Sequence, residues 1–182
     1  MRMSRNTRIS TVYYRKIRKP LASGDVTELV LPWSIECIKQ DHGKGFLASV
    51  PRYKGFCLVP DHLNYRRDID NFYNQYHPFL HETSPGYPKQ TLLFLNHIFA
   101  EQLDIGLDYL KVLLLYPTQI LPILCPVSTE RNTGKTTFLN YLKAIYGQNM
   151  TINSNEDFRS NFNSEWPHKL IIGLMKLSCI GK

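Results

Sequence analysis

The chain has 182 residues and a mass of 21.2 kDa, which is the size of one ordinary domain and excludes a peptide or a disulfide-stapled miniprotein. Hydrophobic residues make up 43% and charged residues 20%, so the composition excludes a disordered chain and predicts a folded, water-soluble body. The net charge is +7, but residues 1–20 hold seven basic side chains and no acidic one, whereas the rest of the chain holds 15 of each sign. The positive charge therefore belongs to an N-terminal segment and the body is neutral.

No segment of the sequence has the length of a membrane span: the apolar run Val112–Leu115 is far shorter than the roughly 20 residues that a spanning helix needs. The N-terminus lacks the apolar core of a secretory signal, and its Arg-rich, acid-free composition also has some likeness to an organellar transit peptide. The four cysteines form no C-x-x-C pair or dense framework: Cys37, Cys57, Cys125 and Cys179. These features predict a protein of the reducing cytoplasm with no membrane partner.

Residues 1–20 form a basic arm that ends at Pro20, and no core-facing pattern is visible in it, so we expect it to be disordered. The alternative is a contact with single-stranded DNA, because Tyr13 and Tyr14 precede a cluster of basic residues and suit base stacking. The cluster that would neutralise phosphates comprises Arg15, Lys16, Arg18 and Lys19.

Residues 21–87 are predicted to form a small, irregular α+β region in which Pro and Gly separate short elements. Val26–Trp33 has the composition of an extended strand, and Gly55–Val59 that of a buried one. Between them Ser34 is placed to cap a short helix that runs through Lys39.

Residues 88–118 are predicted to be a helical pair that follows the linker Ser84–Pro88. The first helix, from about Lys89 to Gln102, places four apolar side chains on one face: Leu92, Leu95, Ile98 and Phe99. The second helix carries Leu107, Leu110 and Leu114 and is closed by Pro117.

Residues 119–182 contain the segment that carries chemistry. A short apolar run, Leu121–Val127, predicts a strand; a polar loop and Gly134 follow; and Lys135–Tyr146 predicts an amphipathic helix that Gly147 ends. A phosphate-binding loop requires this order of strand, polar loop and helix, since the loop and the first helical turn present N–H groups to an anion.

Within this loop Lys135 is expected to reach the β- and γ-phosphates of ATP, the hydroxyl of Thr136 to bind Mg²⁺, and Gly134 to let the backbone approach phosphate oxygens. The full candidate set of nucleotide contacts is Glu130, Arg131, Asn132, Thr133, Gly134, Lys135, Thr136 and Thr137. The pattern G-x-x-x-x-G-K-[ST] is met only in part, because Thr129 stands where its first glycine belongs. An ordinary helix start with an accidental Lys-Thr-Thr is the alternative.

The segment Ser128–Asn140 resembles the Walker A motif of the primase-helicase proteins of phages and mobile elements, which are related to superfamily 3 helicases. The similarity continues through Asn149–Asn153 and Asn155–Phe158 and reaches back into the helical pair. It implies an AAA+-type P-loop NTPase, ATP hydrolysis, assembly of a homo-oligomeric ring, and movement along single-stranded DNA during replication. The expected fold class is therefore α/β: the start of a P-loop NTPase core, preceded by a helical pair and a small irregular α+β region.

Hydrolysis in that family also requires a second strand that ends in acidic residues, and no such residue is identified here. The only candidate strand, His168–Gly173, leads into Leu174–Cys179, and no Asp or Glu follows Glu165. Codons compatible with Gly173–Leu177 read in a shifted frame as Ile-Asp-Glu-Val, which suggests a frameshifted or truncated helicase. We therefore expect ATP binding with inefficient hydrolysis. The alternative is a non-catalytic DNA-binding or assembly module whose P-loop only binds ATP or is structural.

Two pairs of like spacing, Cys37 with His42 and Cys57 with His62, could form a Cys₂His₂ zinc site. The favoured interpretation is a buried Cys57 in its strand and two surface histidines.

Overall fold

The computed structural model of the protein describes residues 6–21, 23–82, 84–154, 157 and 168–175. The fold is mixed α/β, and the chain divides into two compact units: Met1–Pro78 with Gln148–Lys182, and Phe79–Gly147. Among the residues described, no helix is both long and apolar enough to span a bilayer.

The larger sheet of the first unit has the strand order β3-β2-β1-β4, with β1 at Asn6–Ile9, β2 at Val12–Pro20, β3 at Val26–Trp33 and β4 at Arg52–Tyr53. Strands β1, β2 and β3 form an antiparallel meander, and β4 lies parallel to β1. The predicted strand Val26–Trp33 is confirmed with the same bounds.

The expectation of a disordered N-terminal arm is wrong for residues 6–20, which contain strands β1 and β2, and residues 1–5 lie outside the described residues. Two of the four basic side chains of β2 lie on aromatic rings: the Arg15 guanidinium is 4.5 Å from the Trp33 ring centroid, and the Lys16 ammonium is 5.3 Å from that of Tyr73. Cation–π contacts and apolar stems allow such residues to pack in a half-buried sheet, although their charges obscure the alternating pattern in the sequence.

Helices α1, Ile35–His42, and α2, Phe46–Ser49, follow β3. The Ser34 hydroxyl accepts a hydrogen bond from the Cys37 N–H at 3.2 Å, which confirms the predicted cap, and the helix continues three residues beyond the predicted end at Lys39. A buried cluster of Tyr13, Ile38 and Val50 joins these helices to the sheet.

A second sheet has the order β5-β7-β6, with β5 at Gly55–Cys57, β6 at Asp68–Ile69 and β7 at Phe72–Asn74. The predicted strand Gly55–Val59 is therefore present but ends at Cys57. The Asn74 side chain joins the segments that flank this sheet: its amide donates to the carbonyls of Val59 and Arg66, both at 3.0 Å, and its carbonyl accepts from the N–H groups of Val59 and Tyr76.

Strands β8, Met150–Asn153, and β9, Ile171–Leu174, form a parallel pair that belongs to the first unit. Strand β9 confirms the strand predicted at His168–Gly173, shifted toward the C-terminus. The Ile152 backbone ties β8 to the turn before β3, since its carbonyl accepts from the Ser23 hydroxyl at 2.5 Å and its N–H donates to the Asp25 carboxylate at 3.2 Å.

The second unit is built from helices α3, Lys89–Phe99, α4, Leu103–Leu115, and α5, Lys135–Tyr146, with a 3₁₀ turn at Ala100–Gln102. The helical pair and the helix after the loop are thus confirmed. The Phe99 and Phe138 rings of α3 and α5 pack edge to face with centroids 5.5 Å apart, and Gly106 of α4 lies directly against the Phe99 ring.

The strand predicted at Leu121–Val127 is wrong: this segment has no regular secondary structure, and Ile120, Ile123 and Val127 are 92%, 95% and 85% exposed. A parallel strand is stable when neighbouring strands satisfy its backbone and helices cover its faces. The described residues of Phe79–Gly147 include no strand that could provide such a neighbour.

Candidate nucleotide-binding loop

The loop before α5 is shaped by Gly134, which has φ 83° and ψ 1° and precedes the first helical residue, Lys135. This left-handed conformation is accessible to glycine at little cost and unfavourable for residues that carry a Cβ. Space imposes a second requirement, because a Cβ placed on Gly134 would lie 3.1 Å from Cδ1 of Ile98 in α3. The structure therefore explains why glycine occupies this position.

The Lys135 ammonium lies in the curve of the loop that precedes it. Its Nζ donates to the hydroxyls of Ser128 and Thr133, the latter at 2.6 Å, and lies 3.5 Å from the Glu130 carbonyl oxygen. The Ser128 hydroxyl in turn donates to the same carbonyl at 2.8 Å. The loop thus surrounds a cation with its own oxygen atoms.

The N-terminus of α5 carries no side-chain cap. The Phe138 N–H donates to the Gly134 carbonyl at 2.8 Å, so the N–H groups of Lys135, Thr136 and Thr137 are the free donors of the first turn, as at any helix start. Together with the helix dipole, they form an arrangement that can bind an anion.

The residues predicted to bind the nucleotide differ in their exposure and in whether they contact the Lys135 ammonium. Thr136 and Thr137 are exposed at the helix start, and so are Glu130, Arg131 and Asn132 in the loop; Asn132 has φ 60°. Of the predicted set, Thr133 contacts the Lys135 ammonium through its side chain and Glu130 faces it with its carbonyl oxygen. Thr136, which is predicted to bind Mg²⁺ through its hydroxyl, has an exposed side chain at the start of α5.

Two residues near the loop are absent from the predicted set. Ser128 binds the Lys135 ammonium, and its place in the Walker A-like segment was a usable signal. His97 of α3 lies close to Gly134, with its Nε2 3.8 Å from a Cβ placed there, and nothing in the sequence around α3 indicates this proximity.

The zinc hypothesis is not supported, because the part of the chain that the structure describes holds no group of three or more His, Cys, Asp or Glu side chains placed to bind a metal. His42 stacks on Phe46 with ring centroids 4.4 Å apart, while His62 makes a hydrogen bond with the Tyr76 hydroxyl. Both histidines therefore interact with aromatic residues of the first unit.

The four residues predicted to contact DNA share strand β2 but point to both faces of the sheet. Arg15 packs on Trp33, whereas Lys16 lies on the opposite face, 3.7 Å from the Glu28 carboxylate. Arg18 and Lys19 are exposed near the end of the strand. The structure thus separates what the sequence presents as one cluster.

Two solved structures of the C-terminal region of NrS-1, residues 305–718, are similar to this chain. The A form of the apo region matches with a TM-score of 0.58 and 17% identity over 93% of this chain, and another apo structure matches with a TM-score of 0.59 and 17% identity over 88%. The chain shares its fold with this region of NrS-1. It spans 43% and 42% of the two matched chains, which is less than half their length.

No family model and no curated protein sequence matches the chain. The similarity to NrS-1 concerns the fold, and it extends over nearly the whole of the chain.

The acidic residues that hydrolysis requires are expected directly after strand β9. Strand β9 ends at Leu174 and is followed by Met175. The codon pattern invoked for a shifted frame continues into Lys176 and Leu177, which lie outside the described residues, as do Asn155, Glu156 and Phe158 of the Walker A-like similarity.

Proposed function

We propose that the chain is the ATP-binding portion of a DNA primase-helicase that acts in the replication of a phage or mobile element. The observation that carries this function is the Lys135 ammonium, held by loop oxygens beside an uncapped helix start that a left-handed Gly134 shapes. The fold shared with the C-terminal region of NrS-1 supports it. Single-stranded DNA as a partner and assembly into a homo-oligomeric ring belong to the same proposal.

In this function Lys135 would exchange the hydroxyls of Ser128 and Thr133 for phosphate oxygens, and the first N–H groups of α5 would donate to the same anion. Thr136 would offer its hydroxyl to Mg²⁺. The bound metal ion would neutralise phosphate charge. Each of these groups binds or orients ATP, and none of them removes a proton from water.

Turnover is expected to be slow, because a carboxylate that orients the attacking water is the missing element of the site. In the described residues β9 is followed by Met175 and not by an acid.

ATP affinity of the Lys135→Ala variant tests the proposal. Hydrogen bonds to a charged group contribute about 1.5 to 3 kcal/mol, so we expect its affinity for ATP–Mg²⁺ to fall at least about tenfold. Lys143→Ala, at the other end of the same helix, removes the same charge and should bind ATP as the unmodified chain does. Equal ATP affinity in both variants would contradict a nucleotide-binding loop.

A second candidate function is a non-catalytic DNA-binding or assembly module in which the loop is structural. The hydrogen bonds that Lys135 makes to Ser128 and Thr133 favour it, because they order the loop with groups of the chain itself. In that case Lys135→Ala would lower the melting temperature, and neither the unmodified chain nor this variant would bind ATP.

A further inference from the structure

A pocket of about 170 Å³ opens in the first unit, whereas the loop at Gly134 belongs to the second unit. It has room for several water molecules and hence for a phosphate group. Strands β2 and β3, strand β7 with the segment after it, and the residues before β9 provide its walls. The polar members are Lys16, Glu28, Tyr73, Gln75, His77, His168 and Lys169.

Two lysines and one carboxylate give this pocket a positive excess. The Glu28 carboxylate lies 3.7 Å from the Lys16 ammonium and 3.8 Å from Nε2 of His77. Lys169 is held at another wall, where its ammonium donates to the Gln148 carbonyl at 2.9 Å. Because the Lys16 side chain is only 17% exposed, its charge is less screened than that of a surface lysine.

His77 adds a hydrogen-bonding group without adding charge. Burial, and next the charge of Lys16, lower its pKa to about 4, so the imidazole is neutral at pH 7. Its backbone is fixed by Asn149, which accepts from the His77 N–H and donates to the His77 carbonyl, both at 2.8 Å. The backbone of His77 is thus fixed, and its neutral imidazole keeps one N–H that can donate to a phosphate oxygen.

The surroundings favour a polymer over a single phosphate. Arg18 lies two residues beyond Lys16 on the same face of strand β2, and its exposed side chain extends the positive surface along the strand. Lys19 is exposed on the opposite face. The Gln75 amide at the pocket wall can donate to a base or to a phosphate oxygen, whereas the buried Tyr73 ring packs under the Lys16 ammonium.

We propose that this pocket binds a backbone phosphate of single-stranded DNA, with Lys16 and Lys169 as its cationic contacts and Arg18 as the contact to a neighbouring phosphate. The choice of DNA as the polymer rests on the proposed function. The site itself rests on the pocket and its charges, and it gives the DNA partner a location in the first unit.

Binding of a labelled oligothymidylate to the full chain, followed by fluorescence anisotropy, tests the site. We expect the double variant Lys16→Gln, Lys169→Gln to bind about tenfold more weakly at low salt, and its plot of log affinity against log salt to lose a slope of about 0.7, the value of one phosphate contact on a single strand. Lys44→Gln, at an exposed lysine outside the pocket, removes one of the two charges that the double variant removes and should change affinity less than about twofold. Equal losses in the double variant and Lys44→Gln would overturn the site.

Glu28→Gln provides a test that misfolding cannot imitate. Removal of the carboxylate leaves the lysines without their counter-charge, so we expect DNA to bind about fivefold more tightly. Unchanged or weaker binding would overturn the proposal. Inorganic phosphate and thymidine monophosphate serve as competitors: displacement of the oligonucleotide by either at equal phosphate concentration would overturn the polymeric ligand.

ATP binding by the same variants separates this site from the proposed function. If Lys135→Ala leaves ATP affinity unchanged while DNA binding depends on Lys16 and Lys169, the proposed function fails and the pocket stands. If ATP binding depends on Lys135 while DNA binding ignores both pocket lysines, the pocket fails and the proposed function stands.

Discussion

Gly134 is subject to two constraints at once, a left-handed backbone and the proximity of Ile98. We expect Gly134→Ala to lower the free energy of unfolding by about 1 to 2 kcal/mol through its backbone conformation, with an added cost from the 3.1 Å contact. Gly24→Ala is the matched control, since Gly24 has φ +84° and no atom within 4 Å of a Cβ. Urea unfolding of both variants measures the difference, and equal losses would show that Ile98 imposes no constraint.

His77 makes stability depend on pH. Its pKa is 6.5 in the unfolded chain and about 4 in the folded protein, so between these values the unfolded state binds more protons and stability is lost as pH falls. We expect a loss of up to about 2 kcal/mol between about pH 7 and about pH 5. Lys16, Glu28, Lys169 and Arg67 are the charged groups that act on this imidazole.

Urea unfolding at the two pH values measures this effect. The variant His77→Gln should lose most of the pH dependence, whereas His42→Gln, at an exposed histidine of α1, should retain it. A pH dependence that is the same in both variants would assign it to other groups.

At the level of elements, local signals predicted what local interactions determine. Helix α5 begins and ends as predicted, because Gly134 and Gly147 mark its limits and Phe138 and Leu142 define its buried face. Ser34 likewise marks the start of α1. The position of Lys135 at the helix start followed from the same signals, so the candidate loop could be located from sequence.

Elements that depend on distant partners could not be predicted in the same way. Strand β2 is stabilised by eight residue pairs with β3 and by the aromatic rings of Trp33 and Tyr73. In the sequence its basic residues indicated a solvent-exposed segment instead of a strand. The strand prediction at Leu121–Val127 was wrong for the opposite reason. This segment has the composition of a strand, but the described part of its unit offers no strand to pair with it. The pocket around Lys16 and Lys169 was equally invisible, since its two lysines are separated by most of the chain.

Substitutions in the two apolar segments test this difference. We expect Ile123→Ser, at a side chain that is 95% exposed, to change the free energy of unfolding by less than about 0.5 kcal/mol. Leu142→Ala, on the buried face of α5, should cost about 2 to 5 kcal/mol. Chemical denaturation of both variants measures these changes. A large loss of unfolding free energy in Ile123→Ser would indicate that this segment is a buried strand after all.

At the level of the whole molecule, the chain has the fold of part of the NrS-1 C-terminal region and spans less than half of the matched chains. A ligand that binds only the folded protein adds about 2.7 kcal/mol of stability at one hundred times its dissociation constant. We therefore expect ATP–Mg²⁺ to raise the melting temperature of the chain and to leave that of Lys135→Ala unchanged. Phosphate release should stay at the buffer background, and brisk turnover that depends on Lys135 would contradict the expectation of a missing acid.

The hydroxyls of Ser128 and Thr133 occupy hydrogen-bonding positions on the Lys135 ammonium that a phosphate group would also need. An anion bound as proposed would replace these two hydroxyls at the ammonium, so its affinity would report the difference between two sets of hydrogen bonds and not the strength of one. The same hydroxyls keep the ammonium at the centre of the loop when no anion is bound. If the loop binds an anion as proposed, the affinity would be lower than that of an unpaired lysine, and the cation would already be in position.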